Sequence, residues 1–230
     1  MSNSPLVSYT KLSPNHSGKR THTIDRITPH CVVGQLSCES ICGCFTSTAR
    51  QASCNYGIGT DGRVSLCVEE DNRSWCSSSN ANDQRAVTIE CSSDKTEPYA
   101  MNNAVYQSLI KLCVDICKRN GKKKLLWFAD KDKSLNYNPK SDEMVITVHR
   151  WFANKSCPGN WLYAKLGDLA AKVTAELGGT TSTPSAGTLY RVQTGAFGVK
   201  ANADAFLNKV KAAGFETYMV KVGNLYKVQV

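Results

Sequence analysis

The chain has 230 residues, 41% of them hydrophobic and 20% charged, with a formal net charge of +9. That length allows one substantial domain and a small companion, and that composition supports a packed core and excludes wholesale disorder. No apolar run approaches the roughly 18–20 residues of a membrane-spanning helix, so no membrane insertion is expected.

Residues 1–20 are polar, carry Pro5 and Pro14, and read as a loose lead-in. They lack the basic-then-apolar layout of a signal peptide, so synthesis in a cytosol and export by another route are expected. "RTHTIDRITPHCVVG" alternates as a strand ending at His30, and "LSCESICGCF" reads as a short helix capped by Ser37. "ASCNYGIGTDGRVSLCVEE" reads as two strands around a Thr60-Asp61-Gly62 turn. "QRAVTIECSSD" adds a strand whose apolar run, Ala86–Ile89, suits a central position. From Asn102 to Arg119, Val105, Leu109, Leu112, Cys113 and Ile116 recur at helical spacing, and Gly121 stops them. "SDEMVITVHRW" is another strand, ending close to His149. Leu162, Leu166, Leu169, Ala170 and Val173 mark a further helix before Gly178–Gly179. Mixed strands and helices in this order predict an α/β domain with a central sheet.

"GGTTSTPSAG" has the composition of a linker. Beyond it the pattern is strand, helix, strand, strand, with Ala203, Phe206, Leu207 and Val210 on the apolar face of the helix. "LYRVQTG" (Leu189–Gly195) and "LYKVQV" (Leu225–Val230) are near copies, so this unit contains an internal repeat whose second copy stops at the last residue.

The positive charge suits a polyanion, either nucleic acid or an anionic wall polymer. The clearest basic block, Lys122–Lys124, follows a helix end and reads equally as a solvated cap. Without an arginine-rich arm or an aromatic stacking motif, nucleic acid is not expected as a partner. Eleven cysteines follow no disulfide-knot spacing in a chain too long to need stapling, so free thiols are expected. Cys113 and Cys117, one helical turn apart, read as small core residues. Cys38, Cys42 and Cys44 lack a second cysteine or histidine pair at zinc-finger spacing.

"HRWFANKSCPG" sets His149, Lys155 and Cys157 within nine residues, with Pro158–Gly159 to turn the backbone. A catalytic zinc takes three protein ligands and leaves a fourth position for water. The chain has four histidines: His16 lies in the lead-in, His22 starts a strand, and His30 ends one where a neighbouring strand can bring it beside His149. By position the best ligand set is His30, His149 and Cys157. On spacing alone, a core histidine and a buried thiol explain the same residues as well.

"ITPHCVVG", "RQASCNYGIGTDGRV", "EEDNRSWCSSS", "AVTIE", "LCVDICKRNG" and "HRWFANKSCPG" occur in order across residues 21–177. Together this stretch resembles the type 2 zinc-dependent N-acetylmuramoyl-L-alanine amidases, which share a fold with peptidoglycan recognition proteins, and most of all the catalytic domains of phage endolysins and autolysins. The resemblance implies a central mixed sheet flanked by helices, a Zn2+ cofactor held by His30, His149 and Cys157, and catalytic residues Glu90, Lys155 and Tyr56. Glu90 is expected as the base, Lys155 as an oxyanion donor and Tyr56 as an orienting residue. Cys76 falls where many relatives have histidine and is expected to line the pocket. Cys31 should point to the opposite strand face from His30, into the core.

The C-terminal stretch resembles the SPOR domain, a ferredoxin-like α+β module that binds peptidoglycan, here incomplete because its second helix and last strand are missing. The expected organisation is a zinc amidase domain at 1–178, a linker at 179–187 and a partial SPOR-like unit at 188–230. The edge strand ending at Val230 would stand open in a monomer, which makes a dimer through this unit an expectation. The function implied is hydrolysis of the bond between N-acetylmuramic acid and L-alanine by a phage endolysin that lyses its host from the host cytoplasm. The alternatives are a non-catalytic peptidoglycan-binding protein and a bacterial autolysin or sporulation amidase.

Overall fold

The computed structural model describes residues 2–178, 192–215 and 217–230. The linker expected at 179–187 and the first residues of the repeated segment, 189–191, lie outside the described residues. The chain divides into two compact units, Met1–Thr181 and Ser182–Val230.

The first unit runs β1 (Val7–Thr10), β2 (His16–Lys19), β3 (Arg26–Cys31), α1 (Cys38–Gly43), β4 (Tyr56–Ile58), β5 (Val64–Leu66), β6 (Asn72–Ser74), α2 (Asn80–Arg85), β7 (Ala86–Cys91), α3 (Asn103–Arg119), β8 (Lys124–Leu126), α4 (Lys131–Asn136), β9 (Glu143–Ile146) and α5 (Gly159–Glu176). Seven strands form one sheet in the order β1-β5-β4-β7-β3-β9-β8. Only β4 and β5 pair antiparallel, as the tight turn at Thr60–Gly62 requires; the other pairs are parallel. This is the mixed α/β sheet that the order of elements predicts. Every residue of β3 is buried, because a parallel strand covered on both faces has no solvent side.

The long helices supply the cover. In α3 the apolar residues fall at helical spacing, the Asn102 side chain caps the start by accepting from Val105 N, and Lys118 and Arg119 sit at the negative end of the dipole. Gly121, at φ 68°, ends the segment in the left-handed region that glycine enters without strain. α3 packs on α5, and Leu109, Leu112, Ile116, Leu162 and Leu166 meet Ile27, Ile89 and Ile146 of the sheet. Cys113 and Cys117 are core residues. A smaller cluster, Ile41, Cys42, Phe45, Cys54 and Cys67, fixes α1. α1 lies so close to β4 that a Cβ on Gly57 would come within 2.7 Å of Ile41 Cγ2 and Ser65 Oγ.

The lead-in is not loose. β1 pairs parallel with β5, and β2 pairs antiparallel with β6. Asn15 is buried and donates through Nδ2 to the carbonyls of Phe45, Ser47 and Ala52. The segment is polar because its side chains satisfy buried carbonyls, an ordering that no local periodicity announces.

The second unit contains β10 (Gln193–Phe197), α6 (Lys200–Ala212), β11 (Tyr218–Val222) and β12 (Leu225–Gln229), the expected strand, helix, strand, strand. The sheet order is β10-β12-β11, with both pairs antiparallel. Ala203 and Val228 are buried, and the ring of Phe206 on α6 lies 5.3 Å from that of Phe197. The expectation that the strand ending at Val230 would be an open edge is corrected. β12 is the central strand, and the open edges among the described residues are β10 and β11. The hairpin between β11 and β12 and the closure of β10 onto β12 sandwich the terminal strand.

Candidate active site

The site lies at the carboxyl ends of the parallel strands, where open α/β sheets bind ligands. β3 and β7 run in register with His30 opposite Glu90, so both side chains share one face. β9 ends at Ile146, and a single turn of 3-10 helix, His149–Trp151, sets His149 beside that face. The ring centroids of His30 and His149 lie 5.1 Å apart. The following loop folds back as Arg150 N donates to Cys157 O at 3.1 Å and the Arg150 guanidinium donates to Ser156 O. This return brings Cys157 Sγ to 3.2 Å from His30 Nδ1.

One donor atom from each of His30, His149 and Cys157 lies within 4.8 Å of the others. His30 is 1% exposed, and its Nε2 is buried without a hydrogen-bond partner. Burial and the neighbouring His149 hold His30 well below the ordinary histidine range, and burial with Lys155 lowers His149. Both rings are therefore neutral at physiological pH, the form that ligates a metal. His149 Nε2 lies 2.9 Å from Ser78 Oγ. Contact with Cys31 and burial raise the Cys157 thiol, which a bound cation would reverse. Two neutral imidazoles and a thiol on one side of an open cleft match the donor chemistry of zinc.

Glu90 Oε1 lies 4.0 Å from His30 Nδ1, and Oε2 is buried with no partner. Burial pushes this carboxyl up to about 7, with Arg50 and Cys76 opposing. A carboxyl held near neutrality can both take up and release a proton. Lys155 lines the same cleft of about 580 Å3, together with Arg50, Arg73, Trp75 and Asp83.

Five of the expected site residues thus share one cleft: His30, His149, Cys157, Glu90 and Lys155. Tyr56 does not. In the register between β4 and β7, Gly57 stands opposite Glu90 and Tyr56 opposite Ile89, so the tyrosine points to the other face of the sheet. It is fully buried; its hydroxyl donates to Glu70 Oε2 at 2.7 Å and accepts from Ser4 N at 2.9 Å. The expectation of a catalytic Tyr56 is corrected: it is a core tyrosine tying the lead-in to the sheet. A shift of one residue along a strand exchanges the faces, and only the register resolves it.

Cys76 lines the cleft as expected, with Sγ 3.9 Å from Glu90 Oε1. Cys31 belongs to the main core, as alternation with His30 requires, and also touches the Cys157 thiol. Other cleft residues carry no signal in the sequence, among them Arg50, Arg73, Trp75, Ser78 and Asp83. Ser78 meets His149, and Asp83 accepts from Cys76 N at 3.0 Å and from Ser77 N at 3.2 Å, which holds the segment after Trp75 in place. Single serines and aspartates in a polar stretch carry no spacing signal. The one hint was "SSSNAND", which supplies Ser79 as the cap of α2.

The sequence profile of the N-acetylmuramoyl-L-alanine amidase family matches residues 20–160, and that of the SPOR domain matches residues 164–230. No curated protein sequence matches significantly. Among solved structures, the crystal structure of a selenomethionine AmpD derivative is similar at a TM-score of 0.51 and 16% identity, covering 74% of this chain and 99% of that one. The solution structure of the PlyG catalytic domain is similar at a TM-score of 0.50 and 16% identity, covering 76% of this chain and 97% of that one. These likenesses concern the fold; the family match spans more than half of the chain and includes His30, Glu90, His149 and Cys157. The chain belongs to the N-acetylmuramoyl-L-alanine amidase family, with a SPOR domain following the amidase domain.

Proposed function

We propose that this peptidoglycan amidase is a zinc enzyme of the endolysin kind, with His30, His149 and Cys157 as the metal ligands and Glu90 and Lys155 as the catalytic side chains. The observation that carries the reading is the convergence of these three donors beside a half-buried carboxyl in one cleft. A zinc ion held there would supply a Lewis acid and a water acidified towards a pKa of about 7.

The chain's own groups account for the rest. Glu90 takes a proton from the attacking water as its oxygen bonds to the lactyl carbonyl carbon. It returns that proton to the L-alanine nitrogen as the C–N bond breaks. Lys155 donates to the carbonyl oxygen as charge develops on it. Ser78 orients the His149 ring through Nε2. Arg50 and Arg73 line the cleft and offer positive charge to an anionic wall fragment.

The motif resemblance to phage endolysins supports synthesis in a host cytoplasm followed by attack on the wall. The SPOR unit would hold the enzyme near its substrate and raise the local concentration. Pairing of two copies through the small unit belongs to the same proposal, since β10 and β11 are the outer strands of its sheet among the described residues. A bacterial autolysin would perform the same chemistry.

The test is mass spectrometry of purified wall digested by the protein. Release of new N-terminal alanine, abolished by a chelator and restored by zinc, is expected. Products with intact lactyl–alanine bonds, or undiminished turnover after complete metal removal, would overturn the reading.

A further inference from the structure

The cleft holds more donors than the three proposed ligands use. Cys76 Sγ lies 3.9 Å from Glu90 Oε1, and Glu90 Oε1 lies 4.0 Å from His30 Nδ1. That is the same ring nitrogen that Cys157 Sγ approaches to 3.2 Å. One donor atom from each of His30, Cys76 and Glu90 falls within 4.8 Å of the others, as in the first set. The 3.9 Å and 4.0 Å distances both reach Glu90 Oε1, and Oε2 of the same carboxyl is buried with no hydrogen-bond partner. Cys76 is also held in place: its backbone N donates to Asp83 Oδ2 at 3.0 Å, and Asp83 is itself buried.

We propose that His30, Cys76 and Glu90 form a second donor set for the same ion, overlapping the first at His30, so that the cleft retains a thiolate-bound divalent cation when Cys157 is removed. The inference rests on the metal reading given above. A cysteine and a carboxylate joined to one imidazole suit zinc or cobalt, and a thiolate excludes magnesium and calcium as preferred occupants. Both sets use His30, so one ion is bound at a time. The Cys76 set places Glu90 on the metal and withdraws it from proton transfer, so the ion it holds is bound without supporting turnover.

The experiment titrates Co2+ into the reduced, metal-free full-length chain and follows the thiolate-to-cobalt charge-transfer band and the stoichiometry. Wild type, Cys157→Ala, Cys157→Ser, Cys76→Ala and the double variant Cys76→Ala/Cys157→Ala are compared, with folding checked by circular dichroism. The two single substitutions at Cys157 should each still bind one Co2+, at least tenfold more weakly than wild type, and keep a charge-transfer band. The double variant should lose that band, and Cys76→Ala should bind like wild type. Loss of the band in Cys157→Ala and Cys157→Ser while wild type keeps it would overturn the second donor set alone. Persistence of the band in the double variant would do the same, by assigning the thiolate elsewhere. Failure of wild type to bind Co2+ at all would instead remove the metal reading on which both rest. Cobalt should also raise the melting temperature of Cys157→Ala and leave that of the double variant unmoved.

Discussion

At the scale of single residues, burial lowers the pKa of His30 and His149 and raises that of Glu90. Lys155 lines it from the loop that carries Cys157, and its task in the proposed mechanism is to meet the developing negative charge on the carbonyl oxygen. Lys155→Ala should leave zinc content unchanged and lower kcat by about 10²–10³-fold. Metal analysis beside steady-state kinetics checks this, and near-normal kcat would remove the lysine from the mechanism. Glu90 leads to a stability prediction with a definite sign. Its folded pKa of about 7 lies above the usual carboxylate range, so between roughly pH 4.5 and 7 the unfolded chain has released a proton that the native metal-free protein keeps. Stability from this group is intact below that window and falls as pH rises through it, by about 1.4 kcal/mol for each pH unit crossed. Urea unfolding of chelated protein at pH 5 and pH 8 should therefore show a larger loss for wild type than for Glu90→Gln. Equal losses would mean that Glu90 is not desolvated.

At the scale of elements, a buried network joins the lead-in, β4 and α3 on the face of the sheet away from the cleft. Glu70 is 0% exposed, and its carboxylate accepts from Arg119 Nη1 at 2.9 Å and Nη2 at 2.7 Å, from Tyr56 and from Asn120. Its backbone N donates to Asn3 Oδ1, and Arg119 also donates to Ser2 O. Arg119→Ala would leave a buried carboxylate without its main counter-charge, at a cost of about 3 kcal/mol. Denaturant unfolding measures this, and a change under 1 kcal/mol would show that Tyr56 and Asn120 suffice. The network also explains why Tyr56 misleads as a sequence signal. The resemblance implies a catalytic tyrosine at this position, yet the parity of β4 gives the cleft face to Gly57 and sends the tyrosine to Glu70.

At the scale of the whole molecule, the two compact units invite separation. Residues 1–178 enclose the main core, the cleft and the lead-in strands. A chain ending at Gly178 should fold, bind metal as the full-length chain does and cleave soluble wall fragments at close to the full-length rate, while pelleting less with intact wall. Co-sedimentation and fragment assays check both, and equal pelleting would deny the small unit a role in wall binding.

What the sequence determined by itself was whatever repeats within a short window. Helical spacing from Val105 to Ile116 and the turn at Thr60–Gly62 are local patterns, and each appears in the fold where it was expected; the alternation before His30 marks a strand, but a shorter one, Arg26–Cys31, buried on both faces. Spacing alone left His30, His149 and Cys157 open to a plain core reading; the resemblance implied a donor set, and the fold brings one donor atom of each within 4.8 Å of the others. The remaining features depend on pairing between distant segments. The lead-in became two strands because β5 and β6 accepted it, Tyr56 left the site because of its register with Ile89, and β12 became central because both its neighbours paired with it. Ser78, between β6 and α2, and Asp83, on α2, joined the cleft in the same way, by where those elements pack. The physical reason is common to all of these: side-chain period belongs to the local backbone, whereas register and strand order are chosen by burial and hydrogen bonding summed over the whole chain.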